Sequence, residues 1–360
     1  MVIGSQPVEP VQAALWESWR GTQTVHCFLC AHHCRIEPGD LGLCGVRRNT
    51  DGTLYTLVYG CPVSSVADPI EKKPLFHFLP GTLSFSIATV GCNFTCLFCQ
   101  NADISQMPHE TGRILGRRLS PQDVVDSALA AGCESIAYTY TEPTIYYEYA
   151  RDCARLATET GLKNVFVTNG YMTKEMLADM DGHLHAANVD LKAFTDEFYR
   201  TMAGARLKPV LNSIKRMYDM GVWLELTTLL IPGRNDSPDE LHKLAGFIAS
   251  VSPDIPWHVS RFYPTYRLLD VPPTPVETVE RAIRIGAEEG LHYVYGGNIP
   301  GHSSENTNCP SCGETVVERQ GFAVERDRSR EGKCPRCSQP IAGLAGCVPA
   351  HTSQGDEQCR

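Results

Sequence analysis

From residue 83 onward the chain alternates short apolar runs with amphipathic stretches. The apolar runs fall near 83–90, 134–140, 164–168, 186–191, 222–231, 256–262 and 292–295. They are short and rich in β-branched and aromatic residues, which suits buried strands. Three of the intervening helix starts share one signature: Ser120-Pro-Gln-Asp123, Ser237-Pro-Asp-Glu240 and Thr274-Pro-Val-Glu277. Each supplies a hydroxyl N-cap, a proline at the first helical position and a carboxylate at the third. Gly132, Gly161, Gly221 and Gly290 each close a helical stretch just before the next strand. Regular βα alternation predicts parallel strands joined by right-handed crossovers. Six or so such units fall short of a closed eightfold barrel, so the expected fold class is α/β, a partial (β/α)6 barrel.

The pattern is different at both ends. Residues 1–20 carry a weak helical pattern through Val11, Ala14, Leu15 and Trp19. The stretch Asp68-Pro-Ile-Glu-Lys-Lys-Pro-Leu75 has two prolines and mixed charge, and reads as a shaped loop that either lies over the mouth of a metal cluster held after the first strand or is a solvated connector. After Asn298 the periodicity stops, and residues 301–308 read as a linker. The expected organisation is therefore a Cys-rich N-terminal segment and loop at 1–80, the partial barrel at 81–300, a small Cys-rich module at 301–345 and a disordered tail at 346–360.

Composition narrows the function classes. An apolar content of 42% over 360 residues is ample for a packed core. No run of 18 apolar residues occurs, so no membrane span is expected. The first residues show neither a basic n-region nor an apolar h-region, so a signal peptide is not expected and a cytoplasmic location is. A net charge of −9 argues against a dedicated nucleic-acid binder.

The sixteen cysteines change the picture most. Eleven lie in three groups of four, three and four, while Cys61, Cys133, Cys153, Cys347 and Cys359 stand alone. Clustered cysteines on a long chain without a secretory signal point to metal ligation, not disulfides. Cys27, Cys30, Cys34 and Cys44 are spaced C-x2-C-x3-C-x9-C, a full ligand set for zinc or for an iron–sulfur cluster, with His32 and His33 as competing ligands. Cys309-Pro-Ser-Cys312 and Cys334-Pro-Arg-Cys337, 21 residues apart, read as the paired knuckles of a zinc ribbon. Cys92, Cys96 and Cys99, spaced C-x3-C-x2-C directly after the first predicted strand, are three and not four. Three thiolates leave one iron of a cubane without a protein ligand, and an open metal position is where chemistry happens.

In parallel α/β architectures the chemistry sits at the C-terminal ends of the strands. Polar residues collect there: Glu142 after the second strand, Asn169 after the third, Asp190 and Lys192 after the fourth, and His258, Ser260 and Arg261 on the sixth.

The C-x3-C-x2-C loop after a first strand resembles the cluster loop of the radical SAM superfamily, and residues 25–340 resemble the subgroup related to pyruvate formate-lyase activating enzyme. Within it the chain looks closest to the AmmeMemoRadiSam system enzymes, through Asp68–Leu75, Tyr140-Thr-Glu-Pro-Thr144, His258-Val-Ser-Arg-Phe-Tyr-Pro264 and Val294-Tyr-Gly-Gly-Asn298. The resemblance implies a [4Fe–4S] cluster on Cys92, Cys96 and Cys99, with S-adenosylmethionine (SAM) chelated at its free iron and cleaved reductively to a 5′-deoxyadenosyl radical. It implies that Phe98 lies near the adenine and Glu142 near the methionine ammonium. Asn169, Asp190 and Lys192 would line the pocket, and His258 would lie near the ribose. The family's Gly-Gly-Glu-Pro element departs here, since its glycines are Tyr140 and Thr141. Phe98, Thr141, Glu142, Asn169, Asp190, Lys192 and His258 are thus the candidate cofactor-binding residues, and no catalytic side chain is assigned. The implied partners are SAM, an external electron donor, a protein substrate as in glycyl-radical activation, and Memo-like and AMMECR-type proteins. The alternatives from other classes are an RNA-modifying radical SAM enzyme and a non-enzymatic iron–sulfur or zinc protein.

Overall fold

The structure is a computed structural model that describes residues 10–299, 301 and 303–344. The expected tail at 346–360, with Cys347 and Cys359, lies outside the described residues. Eight strands form the central sheet: β1 (Ser64–Pro69), β2 (Leu83–Ala88), β3 (Ser135–Tyr138), β4 (Lys163–Thr168), β5 (Ala186–Asp190), β6 (Trp223–Leu230), β7 (Trp257–Arg261) and β8 (Val294–Gly297). They neighbour one another in chain order, and β2 through β8 are all parallel. The expected α/β fold with an open parallel sheet is what the chain adopts. Helices Pro121–Ala130, Tyr147–Glu159, Leu207–Asp219, Pro238–Val251 and Val276–Glu288 supply crossovers, each burying an apolar face.

Two of the three predicted caps form as read. Ser120 and Asp123 make a reciprocal capping box, and the Ser237 hydroxyl accepts from the Glu240 N–H. The third helix begins one residue late, at Val276, because the Thr274 hydroxyl is used elsewhere. It donates to the Leu230 carbonyl and accepts from the Phe262 N–H. The helical pattern at 1–20 is also corrected over its described part, which forms the short strands Val11–Gln12 and Trp16–Ser18. Leu15 between them has φ +56°, which no right-handed helix tolerates.

The stretch 64–77 differs most from expectation. Ser64–Pro69 is an antiparallel edge strand, with its proline at the end where no ladder donor is needed. Residues 68–75 are not a solvated connector, since Asp68, Ile70, Glu71, Lys73 and Leu75 are all buried. After a 3-10 turn at Ile70–Lys72 the chain crosses the inner face of the sheet as a plug. Ile70 and Leu75 pack on Ala137, Val165, Ala186 and Trp223, and Asn188 donates to the Pro74 carbonyl at 2.8 Å. The plug is tied down by one carboxylate. Glu225 accepts from the N–H groups of Phe76 and His77 (2.9 and 2.8 Å), from Trp223 Nε1 (3.1 Å) and from His258 Nε2 (2.7 Å). Burial alone would raise the Glu225 pKa, but His258, His77 and these donors pull it down to about 2.

The C-terminal module docks on the same plug. Its three antiparallel strands are Thr307–Asn308, Thr315–Gln320 and Ala323–Asp327. Arg319 from this sheet donates to the Phe76 carbonyl and stacks over the Phe76 ring at 4.4 Å. His77 donates through Nδ1 to the Ala342 carbonyl (2.6 Å) and meets the Tyr295 hydroxyl through Nε2 (2.5 Å).

Burial holds the His77 pKa down to about 4, so the imidazole is neutral in the fold. The unfolded chain takes up that proton near pH 6.5 and the folded chain only near 4. The resulting stability is present above pH 6.5 and lost as pH falls toward 4. At 1.36 kcal/mol per pH unit the loss is about 3 kcal/mol. Urea denaturation at pH 7 and pH 4 should show His77→Gln losing about 3 kcal/mol less than the parent chain; equal pH dependence of the two would contradict this reading.

Candidate functional site

The three-cysteine loop leaves the C-terminal end of β2 through Gly91, whose φ is +101° and whose Cβ position is filled by Val46 and the Cys44 carbonyl. The loop is then held on several sides. Thr95 and Leu97 donate through their backbones to the Ala203 and Met202 carbonyls (both 3.0 Å). Gln106 donates to the Phe94 carbonyl at 3.0 Å, and the Arg267 N–H donates to the Leu97 carbonyl at 3.0 Å. Cys99 Sγ lies 3.2 Å from the Ser105 hydroxyl. The anchors from Met202, Ala203 and Arg267 were not legible in the sequence, because they come from loops distant along the chain.

The ends of the neighbouring strands converge on this loop. Glu142 is buried, and its Oε1 accepts from Thr144 (N–H and hydroxyl) and from the Thr168 hydroxyl, while Oε2 accepts from the Asn169 N–H. Burial raises its pKa against those donors. Asn169 in turn donates to Asn93 Oδ1 at 2.8 Å and lies 3.9 Å from Cys92 Sγ. Lys192 pairs with Asp190 at 2.9 Å and sits 5.8 Å from the Phe98 ring. Burial opposes the Lys192 charge, but Asp190 and the neighbouring Cys96 together raise its pKa. Burial raises the thiol pKa of Cys92 and carries that of Cys96 up to about 12, so thiolates here require a cationic partner. Such a donor set suits an iron–sulfur cluster.

Tyr140 and Thr141 occupy the two positions where the resembling family has glycine. Tyr140 nevertheless adopts φ +63°, the left-handed conformation open to glycine. It is pinned there by Asn101, which donates to its carbonyl at 2.8 Å, and by its hydroxyl on Asp68. Lys73, buried with its pKa lowered to about 8 by burial, completes that cluster by donating to Asp68 (2.9 Å) and to the Tyr140 hydroxyl (3.2 Å). The Thr141 hydroxyl donates to the Thr89 carbonyl and faces back into the fold. Sequence reading did not assign Asp68 and Lys73 to this group; their mixed charge beside prolines fitted a shaped loop over the cluster mouth and a solvated connector equally.

His258 stands apart from the cysteine loop. Its ring bonds Glu225, lies across Phe76 at 4.7 Å and stacks on Tyr295 at 5.1 Å, so its contacts belong to the plug.

The other two cysteine groups differ in geometry. Cys309, Cys312, Cys334 and Cys337 form the one group among the described residues whose ligand atoms all lie within 4.8 Å of one another, an arrangement that can hold a metal ion. Cys27, Cys30, Cys34 and Cys44 instead line a common cavity, together with Arg47, Asn93 and His32. Burial raises the Cys30 thiol pKa and takes that of Cys44 up to about 12. Of the two expected competitors, His32 spends Nε2 on the Asn93 carbonyl (2.7 Å), and His33 is exposed and stacked on His26.

The family model of the radical SAM superfamily matches residues 86–245. An uncharacterized protein of Methanocaldococcus jannaschii is 46% identical over 299 residues, covering 83% of this chain and 88% of the relative. The pyruvate formate-lyase 1-activating enzyme of Escherichia coli strain K12 is 22% identical over 214 residues, 53% of this chain and 83% of that enzyme. Among solved structures, a radical SAM methyltransferase from Sphaerobacter thermophilus matches with a TM-score of 0.49 at 16% identity, covering 65% of this chain and 71% of that one.

One contact tests how the loop is shaped. Gly204 has φ +69°, and a Cβ there would fall 2.4 Å from the Thr95 hydroxyl. Gly204→Ala should lower stability by about 2–3 kcal/mol, of which about 1 kcal/mol is backbone strain. Adding Thr95→Ala should recover the steric part in a double-mutant cycle read by thermal denaturation. Strict additivity would contradict the contact.

Proposed function

Because the chain carries a radical SAM domain over residues 86–245, we propose that Cys92, Cys96 and Cys99 hold a [4Fe–4S] cluster whose fourth iron takes SAM, and that the enzyme abstracts hydrogen from a protein substrate, as glycyl-radical activation requires. The observation that carries this is the convergence of the strand-end loops on the three-cysteine loop, in which Cys96 is buried and Cys92 and Cys99 are half-buried. When bound, the cluster and SAM supply the radical chemistry.

The chain's own residues position and exclude. Asn169, locked by Glu142, orients the first turn of the cysteine loop. The left-handed Tyr140 presents its backbone where the family uses glycine. Asp190 and Lys192 place a fixed ion pair beside Phe98, where Lys192 can meet a carboxylate by a charge-assisted bond. Lys73 and Tyr140 give the inner face a polar group able to anchor a substrate dipole. The buried Cys96 and the buried rings of Phe94 and Phe98 help exclude water from one side of the loop, which a primary carbon radical needs. The C-terminal cysteines we assign to zinc, since ligands around one ion at about 2.3 Å must lie close together, as these do. The closer kinship to AmmeMemoRadiSam enzymes, and hence Memo-like and AMMECR-type partners, belongs to the same proposal.

Anaerobic reconstitution with iron and sulfide, followed by SAM and dithionite, should yield 5′-deoxyadenosine. Cys99→Ala should lower that yield by about a hundredfold or more, because the cluster loses a ligand. Cys312→Ala should leave cluster absorbance at 400 nm (~ the usual region for iron–sulfur charge transfer) nearly intact. Undiminished product from the Cys99 variant would overturn the reading.

A further inference from the structure

The N-terminal cavity carries more than its four cysteines. Arg47 is 2% exposed and Asn93 3%, and both line the cavity. The Nε–H of Arg47 and the Nδ2 group of Asn93 have no hydrogen-bond partner in the fold. The rest of the Arg47 guanidinium is spent on Glu148 (2.9 Å) and the Ala14 carbonyl (2.6 Å), which fixes the free Nε–H in place. Two buried donors without a partner, both on residues that line one cavity, are costly unless an acceptor lies within their reach. The bridging sulfides of an iron–sulfur cluster are such acceptors, and hydrogen bonds to them tune its potential.

The spacing of the sulfurs points the same way. Ligands of a single zinc ion crowd together, as the C-terminal four do within 4.8 Å. Thiolates bound to different irons of a cubane stand further apart, around a body of inorganic atoms. Cys27, Cys30, Cys34 and Cys44 surround a cavity in this way.

The cavity lies between the surface and the three-cysteine loop. On one side its wall is Leu43, 58% exposed. On the other it is Asn93, the residue after Cys92, whose carbonyl His32 holds at 2.7 Å. The Cys44 carbonyl also lies against Gly91, 3.0 Å from its Cβ position. The Cys30 segment pairs with Met172, and Ala31 donates to the Tyr171 carbonyl, on the loop that carries Asn169.

We propose that Cys27, Cys30, Cys34 and Cys44 hold a second four-iron cluster, and that it admits electrons from a protein donor toward the Cys92 loop. The donor is a low-potential one-electron carrier of the flavin or iron–sulfur class. It loses one electron, the N-terminal cluster gains that electron and passes it on, and no proton or bond is exchanged at the relay. The relay role, though not the site, rests on the reading of the Cys92 loop given above.

The test begins with the full chain, reconstituted anaerobically and assayed for iron, sulfide and zinc. Two clusters predict about eight irons and eight sulfides per chain, and reductive titration should consume about two electrons. About four irons with two zinc ions, or about four irons with one zinc, would overturn the second cluster. The Cys30→Ser/Cys34→Ser variant should keep about four irons. Its 5′-deoxyadenosine formation should stay within about twofold of the parent with dithionite, and fall about tenfold or more with reduced ferredoxin as donor. Equal loss with both donors would overturn the relay. If the variant does not fold, the iron count and the two-electron titration of the unaltered chain still decide the site. Eight irons without SAM cleavage would leave the second cluster standing and overturn the function proposed for the Cys92 loop.

Discussion

A single buried carboxylate holds the candidate site together. Glu142 gathers Thr144, Thr168 and the Asn169 N–H, and so fixes the ends of β3 and β4 relative to each other. Asn169 can reach Asn93 and Cys92 only because its own backbone is held. Breaking one partner of such a network leaves a buried charge or donor without compensation, which costs several times the worth of one exposed hydrogen bond. The cysteine loop inherits its position from this network and from the loop at Met202–Gly204 that grips it on another side.

A second buried carboxylate does the corresponding work on the inner face of the sheet. Glu225 holds the plug by two backbone amides, and the plug in turn offers Phe76 and His77 to the C-terminal module. The module is thereby coupled to the plug through polar contacts, and it also packs directly on Tyr293 and Tyr295 at the last strand of the sheet. The N-terminal segment is coupled differently, by direct packing of Cys44 and His32 on residues 91–93. Of the two flanking cysteine groups, only the N-terminal one touches the three-cysteine loop in this way among the contacts described.

Much of this was legible in the chain itself, for physical reasons. The parallel strands were readable because β-branched runs bounded by capped helices have few other ways to fold, as the Ser120 and Ser237 caps show. The gathering of Glu142, Asn169, Asp190 and Lys192 near the cysteines followed from where strand ends must lie in a parallel sheet. What escaped was non-local. The plug at 70–77 depends on Glu225, about 150 positions later in the chain, and nothing in its own prolines and lysines signals burial. His258 was placed on the correct strand but faces that plug, because side chains along a strand alternate and a strand can present polar groups at more than one depth. Tyr140 kept a glycine's backbone angle without being glycine, which only its anchors on Asp68 and Asn101 explain.

The central claim is that the three-cysteine loop carries a cluster with one iron open to SAM. The most direct measurement is the electron paramagnetic resonance spectrum of the reduced, reconstituted chain before and after SAM is added. The account predicts that SAM shifts the signal of one cluster in the parent chain, and that Cys99→Ala abolishes that shift. A reduced-cluster spectrum that SAM leaves unchanged in the parent chain would contradict it.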